Sequence, residues 1–129
     1  MDYRKIIDKI EHDLSHFLID ELTKADPTKR MSYDLYKYKG LTIIADPRSK
    51  AHDKTIKVRI GVLEAEFKVA DGTKCSGSFA PIEEKLISMW LGRSENSTLL
   101  RRIFTDTGER KEVPIIPFGL EEVFEESSD

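Results

Sequence analysis

Three groups of residues in this 129-residue sequence have types and spacings suited to chemistry. His12 and His16 stand four apart in EHDLSH, which on a helix puts both imidazoles on one face, a geometry able to hold a transition metal. Asp13 stands where a zincin-type motif carries glutamate. The angular position speaks against a metal. The apolar stripe of this stretch centres on Ile10, Leu14 and Phe17, and both histidines fall on the opposite, water side. A catalytic zinc also needs a third ligand, and His52 is the one remaining histidine. The pair reads as solvated surface, with no metal.

Cys75 lies in TKCSGS beside Lys74, and Ser76, Gly77 and Ser78 precede a helix start that offers backbone N–H groups. A nucleophilic thiol needs a base within hydrogen-bond reach, and no histidine is near in sequence. Cys75 reads as an ordinary strand cysteine. The sequence has no glycine-rich phosphate loop, no dinucleotide fingerprint and no G-x-S-x-G elbow. Neither an enzyme nor a cofactor is expected.

The third group interleaves aromatics with cations: Tyr33, Tyr36, Lys37, Tyr38 and Lys39, then Arg48, Lys50, His52, Lys54, Lys57 and Arg59. If two strands pair here as a hairpin, Tyr36, Tyr38, Lys57 and Arg59 share its solvent face, the layout of a sheet that stacks bases and tracks phosphates. The charge map agrees only in part. Residues 24–59 carry ten basic and four acidic side chains, while residues 60–129 carry eight and fourteen. The overall pI of 5.7 is the reverse of a typical nucleic-acid binder. The expected binding residues are therefore Tyr36, Lys37, Tyr38, Lys39, Arg48, Lys50, Lys54, Lys57 and Arg59. An acidic protein surface is their first expected partner and nucleic acid the alternative. The last ten residues hold five acids, so this tail is itself a candidate to fold back on the basic stretch.

The elements that position these groups follow from periodicity. Ile6, Ile7, Ile10, Leu14, Phe17, Leu18 and Leu22 recur at helical spacing, predicting an amphipathic helix from Asp2 to about Lys24, closed by Pro27. Residues 36–44 read as strand, with Lys39-Gly40 either a tight turn or part of one longer strand. From Lys54 to Val69 the apolar residues alternate, first on Ile56, Val58, Ile60 and Val62, then on Leu63, Ala65, Phe67 and Val69. This predicts one long strand with a bulge or bend near Gly61, Leu63 buried and Glu64 solvated. Asp71-Gly72 is a turn, and Thr73–Phe79 a short return strand. Pro81, Glu83 and Glu84 open a helix whose apolar face is Ile82, Leu86, Ile87, Trp90 and Leu91, with Gly92 at its end. Residues 99–105 and 110–116 flank Asp106-Thr107-Gly108-Glu109 as a hairpin, with a helix from a Ser97 cap as the competing reading.

The expected fold is a single α+β domain over residues 1–119, followed by an acidic C-terminal tail at 120–129. Its order is α-β-β-β-α-β-β, a mainly antiparallel sheet of about five strands with the N-terminal helix and a second helix packed on it. That order is similar to that of secretion-chaperone-like domains, a likeness carried by no motif. One cysteine excludes an intramolecular disulfide and suits a reducing compartment. With no apolar run of membrane-spanning length and no signal-peptide pattern, the cytoplasm is the expected location. The expected function is non-enzymatic binding of another macromolecule, as an adaptor, inhibitor, immunity or chaperone-like protein. A long apolar strand and a proline-marked edge also point to a homodimer.

Overall fold

The structure is a computed structural model describing residues 3–45 and 54–112, with side chains as far as Phe104. Helix α1 (Tyr3–Thr23) leads into a run of short helical turns, among them the single turn α2 (Arg30–Ser32). Strands β1 (Thr42–Ile44), β2 (Thr55–Ile60), β3 (Leu63–Lys68) and β4 (Lys74–Gly77) follow, and then helices α3 (Pro81–Leu91) and α4 (Ser94–Glu112). The strands form one antiparallel sheet in the order β1-β2-β3-β4. An α+β domain with a mainly antiparallel sheet is thus observed, but its described order, leaving aside the short turns between α1 and β1, is α-β-β-β-β-α-α. Four strands stand where about five were expected. The order also departs from that of secretion-chaperone-like domains.

The core lies between one sheet face and the three long helices. Ile6, Ile10, Leu14 and Leu18 of α1 meet Ile56, Val58, Ile60, Ala65 and Phe67 of the sheet, with Leu86, Ile87, Trp90 and Leu91 of α3 and Leu100 and Ile103 of α4. The α1 stripe is as the spacing predicts. In α3, Ile82 departs from expectation: it is half exposed, because the first turn buries Glu83 instead.

The expected single strand from Lys54 to Val69 is two strands. Ile60 pairs with Leu63 across a two-residue turn, Gly61-Val62, and Gly61 has φ of 62°. A primed turn with glycine first matches the twist of the flanking strands. Two turn residues also move the buried parity from even to odd numbers, which accounts for the slip without a bulge at that point. Leu63 faces inward as expected, yet at the hairpin end it is 41% exposed, beyond the cover of the helices. The bulge is elsewhere, between Glu66 and Phe67 opposite β4.

Two further expectations are corrected. The expected strand through Tyr36 and Tyr38 is helical as far as Lys37, and strand begins at Thr42. The expected hairpin strand at 99–105 is helix, since α4 runs through to Glu112. Among its described side chains Ser97, Leu100, Ile103 and Phe104 are buried, a spacing of three and four that packs a helix on α1. That packing outweighs the cost of about 1 kcal/mol for Gly108 inside a helix. The remainder of the expected last strand and the acidic tail lie outside the described residues.

Nothing lies within 4 Å of a Cβ built on Gly61, so its backbone angle alone restricts the position. Gly61→Val is expected to cost about 1 kcal/mol or more despite valine's strand propensity, because a β-branched residue is strained at positive φ. Val62→Thr, at a fully exposed position, should stay within about 0.5 kcal/mol of wild type in denaturant melts.

Candidate interaction surface

The chain between α1 and β1 is built around an inward-facing tyrosine. Residues 33–37 form a π-helical turn, and the Tyr38 N–H donates to the Tyr33 carbonyl at 2.9 Å. Such wide turns are uncommon and are found frequently at functional sites. Tyr38 is 1% exposed, and its hydroxyl donates to the Glu83 carboxylate in the first turn of α3. Burial, reinforced by that acceptor, pushes the Tyr38 hydroxyl well above the usual tyrosine range, so it remains a donor. Glu83 is itself 3% exposed and needs several donors. Lys37 Nζ lies 3.1 Å from it and the Ala80 N–H donates at 3.4 Å. Tyr33 stacks edge-on against Tyr38, with centroids 5.5 Å apart.

With Tyr33 and Tyr38 turned inward, the opposite side of the segment is turned out. Met31 is 71% exposed, Leu35 48% and Tyr36 80%. They are four and five residues apart, one turn of this winding, and so neighbours on its surface. Arg30, Asp34 and Lys37 stand among or next to them in sequence, with Lys29 and Lys39 on either side. Arg30 is held by Asp20 at 2.6 Å and Lys37 by Glu83, while Lys29 and Lys39 make no ion pair among the described residues.

The expected solvent face shared by Tyr36, Tyr38, Lys57 and Arg59 does not exist in the described structure. Tyr38 belongs to the core and Tyr36 to the turn, whereas Lys57 and Arg59 lie on the outer face of the sheet. There Arg59 donates two hydrogen bonds to Glu64, at 2.9 and 3.1 Å, and Lys57 Nζ stands 3.5 Å from the same carboxylate. Lys54 is turned toward the Phe104 ring, 5.5 Å from its centroid. Arg48 and Lys50 lie outside the described residues. Of the expected binding residues, Tyr36, Lys37 and Lys39 therefore remain together, and Met31, Leu35 and Lys29 join them. Alternating i, i+4 apolar residues beside Pro27 were a legible helical signal for the added residues.

His12 and His16 are exposed neighbours, their rings tilted at 43° with centroids 4.3 Å apart, and His12 Nδ1 lies 3.1 Å from Asp13. Among the described residues no cluster of three or more His, Cys, Asp or Glu stands where it could hold a metal. The exposed Cys75 thiol approaches the Thr73 carbonyl at 3.8 Å. Two surface clefts, of about 320 and 350 Å³, flank α1. The first is lined by both signs of charge, including Lys9, Asp13, Glu95 and Arg102. The second, against β1, includes Asp8 and Glu11. No helix among the described residues is long and apolar enough to cross a membrane. The chain matches no protein-family model, no curated protein and no solved structure.

Two predictions follow from the anchoring. Tyr38→Phe leaves a buried carboxylate short of a donor and is expected to cost about 1–3 kcal/mol, while Tyr36→Ala should stay within about 0.5 kcal/mol, in urea melts. Acid should also weaken the fold. The Arg59 hydrogen bond holds the Glu64 carboxyl below its usual 4.5, and the Lys74 hydrogen bond does the same for Glu84. Carboxyls depressed in the folded state contribute stability above their unfolded pKa and lose it as pH falls through the lower folded value. The melting temperature should thus be level above about pH 5 and fall below it, less steeply in Arg59→Ala.

Proposed function

We propose that this protein is a non-enzymatic binding module that takes a protein partner on the surface formed by Met31, Leu35 and Tyr36. The observation that carries this reading is three large apolar side chains, each roughly half exposed or more, held outward by a turn whose other side is fixed in the core. Exposed apolar side chains clustered within a polar rim mark interaction sites. Lys29 and Lys39 beside them favour an acidic partner segment with apolar anchors, since charge complementarity sets encounter rate and partner choice. The cytoplasm suits a chain whose lone cysteine is exposed.

Base stacking with phosphate tracking is less well supported, because Tyr38 is enclosed and Arg59 and Lys57 are engaged by Glu64. Self-association has one supporting feature. All four residues of β4 are exposed at the sheet edge, whereas the β1 edge is closed by the Glu11 carboxylate, which accepts the Ile43 N–H at 2.8 Å.

The test compares wild type with Met31→Glu/Tyr36→Glu and with Arg59→Glu as bait in host extract. The expected result is a protein retained by wild type and Arg59→Glu and reduced at least roughly tenfold on the double variant, as anchor residues dominate binding. A partner indifferent to Met31 and Tyr36, or nucleic acid recovered in place of protein, would sink the reading.

A further inference from the structure

We propose that His12 and His16 form a two-ligand chelate for a divalent late transition ion, Cu(II), Ni(II) or Zn(II), on the outer face of α1. The site is independent of the surface formed by Met31, Leu35 and Tyr36. The water side of α1 rules out an enclosed catalytic zinc, but it is the side an open chelate needs. Both rings are exposed and adjacent, with centroids 4.3 Å apart and planes tilted at 43°. Residues four apart on a helix have Cβ atoms about 5–6 Å apart, so their imidazoles reach one ion from the same side. An ion holding each nitrogen at about 2.0–2.1 Å sets the two nitrogens roughly 3 Å apart. Turning two exposed rings to that spacing displaces nothing from the core.

Asp13 prepares one of the ligands. Its Oδ1 lies 3.1 Å from His12 Nδ1. In the neutral ring with its proton on Nδ1, the carboxylate accepts that hydrogen bond and Nε2 keeps its lone pair for an ion. Carboxylates placed in this way orient metal-bound imidazoles and raise their basicity. Lys9 Nζ holds the other oxygen of Asp13 at 2.9 Å, which keeps the carboxylate in position.

The charge around the pair is close to balanced. Within one turn, α1 carries Asp8, Glu11, Asp13 and Asp20 against Lys9. Glu11 accepts the Ile43 N–H, and Arg30 engages Asp20 at 2.6 Å. From the other side, Glu95 and Arg102 line the cleft shared with Lys9 and Asp13, and Arg93 lies over Phe17. Arg4 and Lys5 stand about 10 Å or more further along the helix. A field so nearly neutral gives a hard cation little to bind, and the affinity must come from the imidazoles. Those suit copper, nickel and zinc, whereas magnesium and calcium take oxygen ligands. Two protein ligands leave the ion's other positions to water, so the site is neither a closed structural centre nor a catalytic one. Other groups with metal-binding chemistry are engaged: Glu64 by Arg59 and Lys57, Glu84 by Lys74, and Asp71 by the Thr73 N–H.

The experiment uses the full chain with Cys75→Ser, which removes the thiol as a rival ligand, and follows metal titrations by calorimetry and amide NMR. A stoichiometric addition of Cu(II) is expected to broaden residues 8–20 selectively, Ni(II) to bind more weakly than Cu(II), and Mg(II) to give no response. His12→Gln and His16→Gln should each weaken Cu(II) binding at least roughly tenfold, because either change turns a chelate into a single ligand. His52→Gln should leave the affinity unchanged. Zn(II) should raise the melting temperature of the parent and of His52→Gln but not of His12→Gln/His16→Gln. Both positions are exposed, so the metal-free variants keep the parent's stability to within about 0.5 kcal/mol. Broadening that never appears or centres away from α1 would overturn the proposal. So would affinity that survives both glutamine changes, falls with His52→Gln, or is matched by Mg(II).

Discussion

Glu83 is a carboxylate placed almost wholly inside the protein, and much of the architecture follows from keeping it satisfied. A buried charge without partners costs several kcal/mol, so its donors are as much part of the fold as the apolar core. One donor is its own helix entry, the Ala80 N–H, which fixes where α3 starts. The other two, Tyr38 and Lys37, come from forty-five and forty-six residues away. Through them the irregular turns after α1 are held to the first turn of α3, and the one covering layer is closed at that corner.

The same contact decides what the molecule shows to solvent. With Tyr38 and Tyr33 drawn inward, the winding of the intervening residues leaves Leu35 and Tyr36 on the far side, beside Met31. The surface proposed for binding is thus the outer side of a structural anchor. Elsewhere much of the described exterior is occupied by paired groups. The outer sheet face sets Arg59 and Lys57 on Glu64, and Thr55 donates to Glu66 at 2.7 Å. The β1 edge is occupied by Glu11. Lys74 and Glu84, 3.1 Å apart, link β4 to α3.

Most of the layers were legible in the sequence. The α1 stripe and the Pro81 start each reflect a single element burying one side, and each emerges as read, whereas the alternation from Ile56 to Val69 marks the buried face but belongs to two strands. The misreadings share a cause. Tyr36 and Tyr38 have strand propensity and strand spacing, but a partner distant in sequence draws Tyr38 into the core and winds the chain before it. Leu99 to Phe104 is rich in residues that suit either element, and the deciding contact, packing on α1, is also remote. At Gly61 the signal was present but lacked the usual Asn-Gly or Asp-Gly pair, so a turn looked like a fault in one strand. The expected residues are accordingly placed apart: Tyr36 is exposed, Tyr38 is enclosed with Lys37 beside Glu83, and Lys57 and Arg59 belong to another face.

Amide hydrogen exchange in wild type and Tyr38→Phe tests most directly whether the Tyr38–Glu83 contact holds the display surface. If it does, protection at residues 33–41 and in the first turn of α3 falls by at least roughly tenfold while the β2–β3 amides keep theirs, a local opening rather than a global one. Unchanged protection at 33–41, or an equal loss throughout the sheet, would contradict the account.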